Sequence, residues 1–202
     1  MMRESAMNRS VVINREYASG GREVGRLVAE AAGVEYYDTK ILHEAALRQE
    51  YSEEMLATFD EQFIGGGFFD FALIGGDPEL AALPYRIHGA ITEVVVEVAK
   101  RGPAVFIGRC ADQMLRDADL PMRSVFLYSS DMQRRIQRAV QIDGVQPRHA
   151  EGYIAKMDRA RRRYQQFFTD TKFGDLNSYD LCLNSAEISY AECAKAILAT
   201  CA

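Results

Sequence analysis

Long apolar runs are missing from this chain. No stretch approaches 18 consecutive apolar residues, so no transmembrane helix is expected. Met1 to Ser10 also lack the apolar core of a secretory signal, which makes the cytoplasm the expected location and a membrane partner unexpected. Histidine is scarce: His43, His88 and His149 have no visible partners, and each reads as structural or solvent-facing. Cys110, Cys182, Cys193 and Cys201 are scattered, with no C-x-x-C and no histidine at ligand spacing, a pattern that speaks against a zinc site or a disulfide framework. Positive charge is not in excess. With 24 Lys and Arg against 29 Asp and Glu the net charge is −5, which excludes a protein whose main task is coating nucleic acid. A local cluster of arginines can still serve a small anion.

What is present is an ordinary globular composition, 48% hydrophobic and 26% charged, in 202 residues. That length predicts one domain that buries about 70% of its unfolded surface. Residues 1–10 read as a mobile leader. Short β-branched or apolar runs then alternate with helix-period segments. Strands are expected at about 11–15, 34–38, 104–107, 123–128 and 178–183. Helices are expected at about 22–32, 39–47, 84–101, after Asp131, through 147–176, and at 189–199. This order predicts a three-layer α/β fold, a parallel five-stranded sheet with helices on both faces and right-handed crossovers. The run Ala104-Val105-Phe106-Ile107 suits a strand buried on both faces. It delivers Gly108-Arg109-Cys110-Ala111-Asp112 to its carboxyl end, where ligands bind in open α/β sheets.

The first strand-to-helix junction, Arg15-Glu16-Tyr17-Ala18-Ser19-Gly20-Gly21-Arg22-Glu23, reads as a phosphate cradle. Glycines there permit positive φ, and their amides can face an anion at a positive helix end. It departs from the standard G-x-x-x-x-G-K-[ST] loop. With Gly21-Arg22 on the Gly-Lys pair, Glu16 replaces the first glycine and Val24 falls near the hydroxyl's position. Gly20 through Arg26 fits the pattern literally, but that register starts the helix late. The competing reading is a plain βα turn with Arg22 in a surface salt bridge.

Other segments leave alternatives open. Asp38 ends the second strand and is either a helix cap, a role Thr39 could also fill, or a carboxylate that holds Mg²⁺ through water. Ser52 to Met55 resembles a helix start. Two glycine-rich hinges, Gly65-Gly66-Gly67 and Gly75-Gly76, bracket the aromatic run Phe68 to Phe71. That run suggests a mobile lobe or a homodimer contact, or else core aromatics under a loop. Arg159, Arg162 and Arg163 share one helix face, and Asp158, Arg161 and Tyr164 share another. Such a charge run is either a solvated face or a lid.

With these motifs placed, the chain resembles the cytidylate kinase-like family, a branch of the P-loop nucleoside monophosphate kinases, from about Val11 to Ala199. The resemblance rests on Arg15 to Gly25 as a modified P-loop and on Val34-Glu35-Tyr36-Tyr37-Asp38 as the second strand. It rests further on Ile107 to Asp112 after the third strand, on the Asp158-x-x-Arg161-x-x-Tyr164 helix and on Tyr179-Asp180-Leu181-Cys182-Leu183-Asn184. It implies one P-loop kinase-like domain with a helical acceptor-binding region at about 39–101 and a lid at about 147–176. It implies ATP and Mg²⁺ as cofactors, a nucleotide as partner, and γ-phosphoryl transfer to a nucleoside monophosphate such as CMP or dCMP. Ser19, Gly20, Gly21, Arg22 and Glu23 would wrap donor phosphates, Arg22 standing in for the absent Lys. Arg109 would hold the acceptor phosphate, and Asp112 the sugar hydroxyls, although Cys110 stands where the family places an Asp. Asp38, Asp158 and Arg159 would complete the acceptor side, and Arg161 and Arg162 would close over the transferring phosphoryl. No general base is evident, and none is required for an acceptor phosphate already ionised at pH 7. The alternatives are a kinase of another small metabolite and a nucleotide-binding regulatory module without turnover.

Overall fold

A computed structural model describes residues 7–48, 51, 56 and 78–201. The expected helix start at Ser52, the hinges and the aromatic run with its dimer contact therefore lie outside the described residues. So do residues 1–6. Residues 7–10 are not a leader: Met7 is buried in the core, the Asn8 amide donates to the Cys201 carbonyl at 3.0 Å, and Ser10 opens the first strand.

The strands are β1 (Ser10–Arg15), β2 (Glu35–Tyr37), β3 (Ala104–Ile107), β4 (Met122–Tyr128) and β5 (Leu181–Asn184), all parallel in the order β2-β3-β1-β4-β5. The helices are α1 (Gly21–Ala32), α2 (Thr39–Leu47), α3 (Pro78–Arg101), α4 (Ala111–Asp117), α5 (Met132–Asp143), α6 (Pro147–Phe168) and α7 (Tyr190–Ala199). A short 3₁₀ turn, Leu176–Ser178, fills what the sequence reading gave to the start of the last strand. Helix α3 begins six residues before Pro84, which lies inside it. Proline's bias toward a first turn made 84 look like the start.

Side-chain alternation divides the core into two layers. Val11, Ile13, Val105, Ile107, Val125 and Leu127 face α1 and α7. Val12 and Phe106 face α2, α3 and α4. Both faces are covered, so the central strands are apolar throughout. Ile13 pairs with Ile107, and the Gly108 amide donates to the Ile13 carbonyl at 3.1 Å. This register brings the end of β1, Asn14-Arg15, beside the residues that follow β3, Gly108-Arg109, at one edge of the sheet.

Helix α6 reaches that edge and is tied to α3 through aromatic contacts. The His88 ring stacks on Phe168 at 3.9 Å, and its Nδ1 lies 3.1 Å from the Tyr164 hydroxyl. Burial, helped by the charge of Arg109, holds the His88 imidazole down at about 4. A base whose pKa is depressed on folding loses its contribution as the pH falls from its ordinary value of about 6.5. At pH 4.5 the unfolded imidazole is charged and the native one mostly neutral. His88→Phe is therefore expected to gain about 2 kcal/mol on wild type between pH 7 and pH 4.5, read from urea denaturation of both proteins. A gap that does not change with pH would show that His88 titrates normally.

Candidate active site

The adjacent carboxyl ends of β1 and β3 form the floor of a hollow of about 230 Å³, and α6 forms its roof. Arg15, Arg22, Arg109 and Arg161 all line it, with Asn14, Thr39, Cys110 and Tyr164. No carboxylate lines it among the described residues. Mutual repulsion is evident in the titration behaviour. Burial first, then the charges of Arg161, Arg109 and Arg22, hold the Arg15 guanidinium well below its ordinary range. Burial lowers Arg161 to about 10, with Arg22 and Arg109 adding to the shift and Asp158 opposing it. Cations so arranged are completed by an anion rich in oxygen acceptors.

Arg109 reaches the hollow through a strained turn. Gly108, Arg109 and Cys110 take φ of 70°, 62° and 59° in succession. The left-handed conformation costs about 1–2 kcal/mol at each non-glycine residue. Tyr164 holds the result, its ring 5.2 Å from the Arg109 guanidinium carbon. Cys110 is buried and burial pushes its thiol up, so the residue standing where an acidic one was looked for is neutral.

Glu16, the least expected residue in the loop, has a structural role. Its carboxylate accepts from the Ser129 amide and from Arg135, each at 3.2 Å. Arg135 also donates to the Tyr17 carbonyl at 2.9 Å and pairs closely with Asp158, which itself accepts the Tyr17 amide at 2.7 Å. The Glu16–Tyr17 stretch is thereby clamped between α5 and α6. One turn beyond Asp158, Arg161 donates to the Arg15 carbonyl at 2.9 Å and lies 5.5 Å from the Tyr17 ring centre. The clamp thus sets both the loop and the roof.

The expected site residues divide accordingly. Arg22, Arg109 and Arg161 come together in the hollow. Asp158 is corrected from a substrate contact to a structural one, because both its oxygens are taken by Tyr17 and Arg135. Asp112 is 5% exposed and does not line the hollow, and burial pushes its carboxyl upward, so the turn does not present it to a sugar. Ser19 turns its hydroxyl to the carbonyls of Glu16 and Leu127, and Glu23 pairs with Arg138. Gly20 takes φ 92° and lies against the Tyr190 ring, where no side chain fits, and Gly21 opens α1. Arg159 and Arg162 face solvent. Asp38 caps α2 through Oδ1, which accepts the amides of Lys40 and Ile41, and leads into Thr39 on the wall. Arg15, quoted in the loop but given no role of its own by sequence reasoning, is a further charged lining residue. Its position as the last residue of a central parallel strand was the available signal.

The model of the cytidylate kinase-like family matches residues 10–187. No match to a curated protein is found. Among solved structures, an uncharacterized protein from Eubacterium ventriosum ATCC 27560 has TM-score 0.72 at 23% identity, covering 95% of this chain and 97% of that one. A gluconokinase from Sinorhizobium meliloti 1021 has TM-score 0.54 at 18% identity, covering 96% and 93%. A shikimate kinase from Acinetobacter baumannii, in complex with shikimate, has TM-score 0.51 at 15% identity, covering 96% and 93%. These likenesses establish the P-loop kinase fold. Among the described residues no helix is long and apolar enough to cross a membrane.

Removing one member of a buried ion pair strands the other, at a cost of about 3–5 kcal/mol. Asp158→Ala is expected to destabilise the protein toward the low end of that range, since Glu16 remains to Arg135. Urea denaturation checks it, and a loss under 1 kcal/mol would show that the clamp carries no stability.

Proposed function

The chain belongs to the cytidylate kinase-like family, and from that premise we propose that it is an ATP-dependent phosphotransferase acting on a nucleoside monophosphate, CMP or dCMP in type. The observation that carries the reading is a hollow walled by four guanidiniums and, among the described residues, no carboxylate. A hydroxyl acceptor asks for a group that takes its proton. A phosphate acceptor is ionised already, and what it asks for is positive charge to offset its repulsion with the incoming phosphoryl. The wall meets the second demand and not the first.

In this reading Arg22, at the first turn of α1, holds donor phosphates with the loop amides. Arg109, fixed by its strained turn and by Tyr164, holds the acceptor phosphate. Arg161 neutralises charge on the group in transit. Arg162 and Arg159, on the same helix but facing solvent, would join only on closure of α6. Asp38 has one carboxylate oxygen outside its cap bonds and fits a Mg²⁺ held mainly by substrate phosphates. Bound ATP would supply the phosphoryl group, and Mg²⁺ would offset part of its negative charge. The residues of this chain orient the phosphates, exclude water beneath α6 and hold a site that expects dianions.

ADP release from ATP and Mg²⁺ is expected to rise saturably with CMP or dCMP across a panel of monophosphates. Arg109→Ala should lower kcat/KM about 100-fold or more, the scale for losing one charge-stabilising donor. If no monophosphate stimulates release, the proposal falls. Turnover of a non-nucleotide acceptor would then point to another metabolite kinase, and ATP binding without transfer to a regulatory module.

A further inference from the structure

Arg15 occupies a place that a phosphate-binding loop ordinarily leaves to its ligand. It is the last residue of β1, and its aliphatic stem crosses the start of α1. A Cβ added at Gly21 would sit 2.7 Å from the Arg15 Cγ. Its guanidinium then extends over Gly108, where an added Cβ would collide with Nη1. The absence of side chains at these two points lets one arginine run from the loop at the head of α1 to the turn after β3. Those are the two walls to which the proposed donor and acceptor phosphates are assigned.

A structural strut in such a position would end on a carboxylate. Among the described residues no carboxylate pairs with the Arg15 side chain. The charges around it are Arg161, Arg109 and Arg22, which all oppose its protonation. Arg161 donates to the carbonyl of Arg15 and, among the described residues, forms no ion pair with an acid, so the roof of the hollow brings a further cation near it. The Arg15 guanidinium therefore faces like charges across the hollow, a setting that suits an anion between them.

We propose that Arg15 is a phosphate-contacting residue that bridges the donor and acceptor halves of the hollow, gripping adjacent phosphoryl groups with its fork. This deepens the phosphotransferase reading by adding a contact at the point where the two phosphates meet. It requires phosphate binding but not transfer, so the two can fail separately. A guanidinium donates in two directions from one plane, which suits two phosphoryl oxygens better than a single ammonium does.

The test uses inorganic pyrophosphate as probe, with the full chain and no nucleotide, read by calorimetric titration and thermal melting. Arg15→Gln is expected to melt no lower than wild type, because a repelled cation has been removed, while binding pyrophosphate about tenfold to a hundredfold more weakly. Arg15→Lys, which keeps the charge but not the fork, should bind between the two. Millimolar guanidinium should restore part of the binding to Arg15→Ala. A lower melting temperature with pyrophosphate affinity unchanged would make Arg15 a strut and overturn the proposal. So would weaker binding in Arg15→Gln that appears only together with a lower melting temperature and is not restored in Arg15→Ala by guanidinium.

Discussion

Concentrated positive charge is the constraint on which this structure turns. Four guanidiniums share one hollow, and folding holds them there against their repulsion and against the loss of water. Nothing in the hollow itself accounts for that arrangement. The force comes from outside it: the two-layer core fixes the strand ends, Arg135 and Asp158 clamp the loop, and Tyr164 braces Arg109. Each is an ordinary stabilising device, and together they hold like charges close to one another. Strain at Arg109 and Cys110 belongs to the same pattern, since backbone in sparse φ/ψ regions persists only where its surroundings over-determine it.

The loop's departures from the standard pattern become intelligible on the same footing. A glycine at the first position of a P-loop allows the backbone to approach a phosphate. Glu16 abandons that freedom and instead ties the loop to the Ser129 amide and Arg135. The loop is thus held by side chains from β4's end, α5 and α6 rather than by its own glycines. Positive charge of the kind usually supplied by one lysine is spread here over Arg22, Arg109, Arg161 and Arg15. Charge spread over rigid forks is less mobile than charge on one flexible ammonium, and it cannot be discharged near neutral pH.

Much of the fold was legible in the sequence because its signals are local. Ala104–Ile107 could only be a doubly buried strand, and the alternation of short apolar runs with helix-period segments permits few architectures other than a covered parallel sheet. Arg22, Arg109 and Arg161 were legible as site residues, each at a strand end, a helix start or a motif position. The contacts that were not legible are those between distant residues. Nothing local in Asp158 says that it meets Tyr17, 141 positions away, rather than a substrate. The start of α3 was misread for a local reason, since Pro84 signals a first turn yet is tolerated inside a longer helix.

Arg15 shows why the missed residue matters more than its single charge suggests. In the sequence it ends a strand at the head of the modified loop, and nothing there gives its side chain a role of its own. In the fold, Gly21 and Gly108 come from two different loops, and their lack of side chains makes one continuous channel for its side chain. Gly21, read from the sequence as part of a phosphate cradle, and Gly108, in the turn after β3, together make room for an arginine. On the proposed reading, phosphates would be displaced from the backbone amides toward that side chain's fork. A displacement of this kind moves the burden of recognition from backbone amides, which accept any oxyanion of suitable size, to oriented guanidiniums, which select for paired oxygens. A loop that looked like a degraded P-loop is, on that argument, a different solution to the same electrostatic problem, with selectivity set by side-chain geometry.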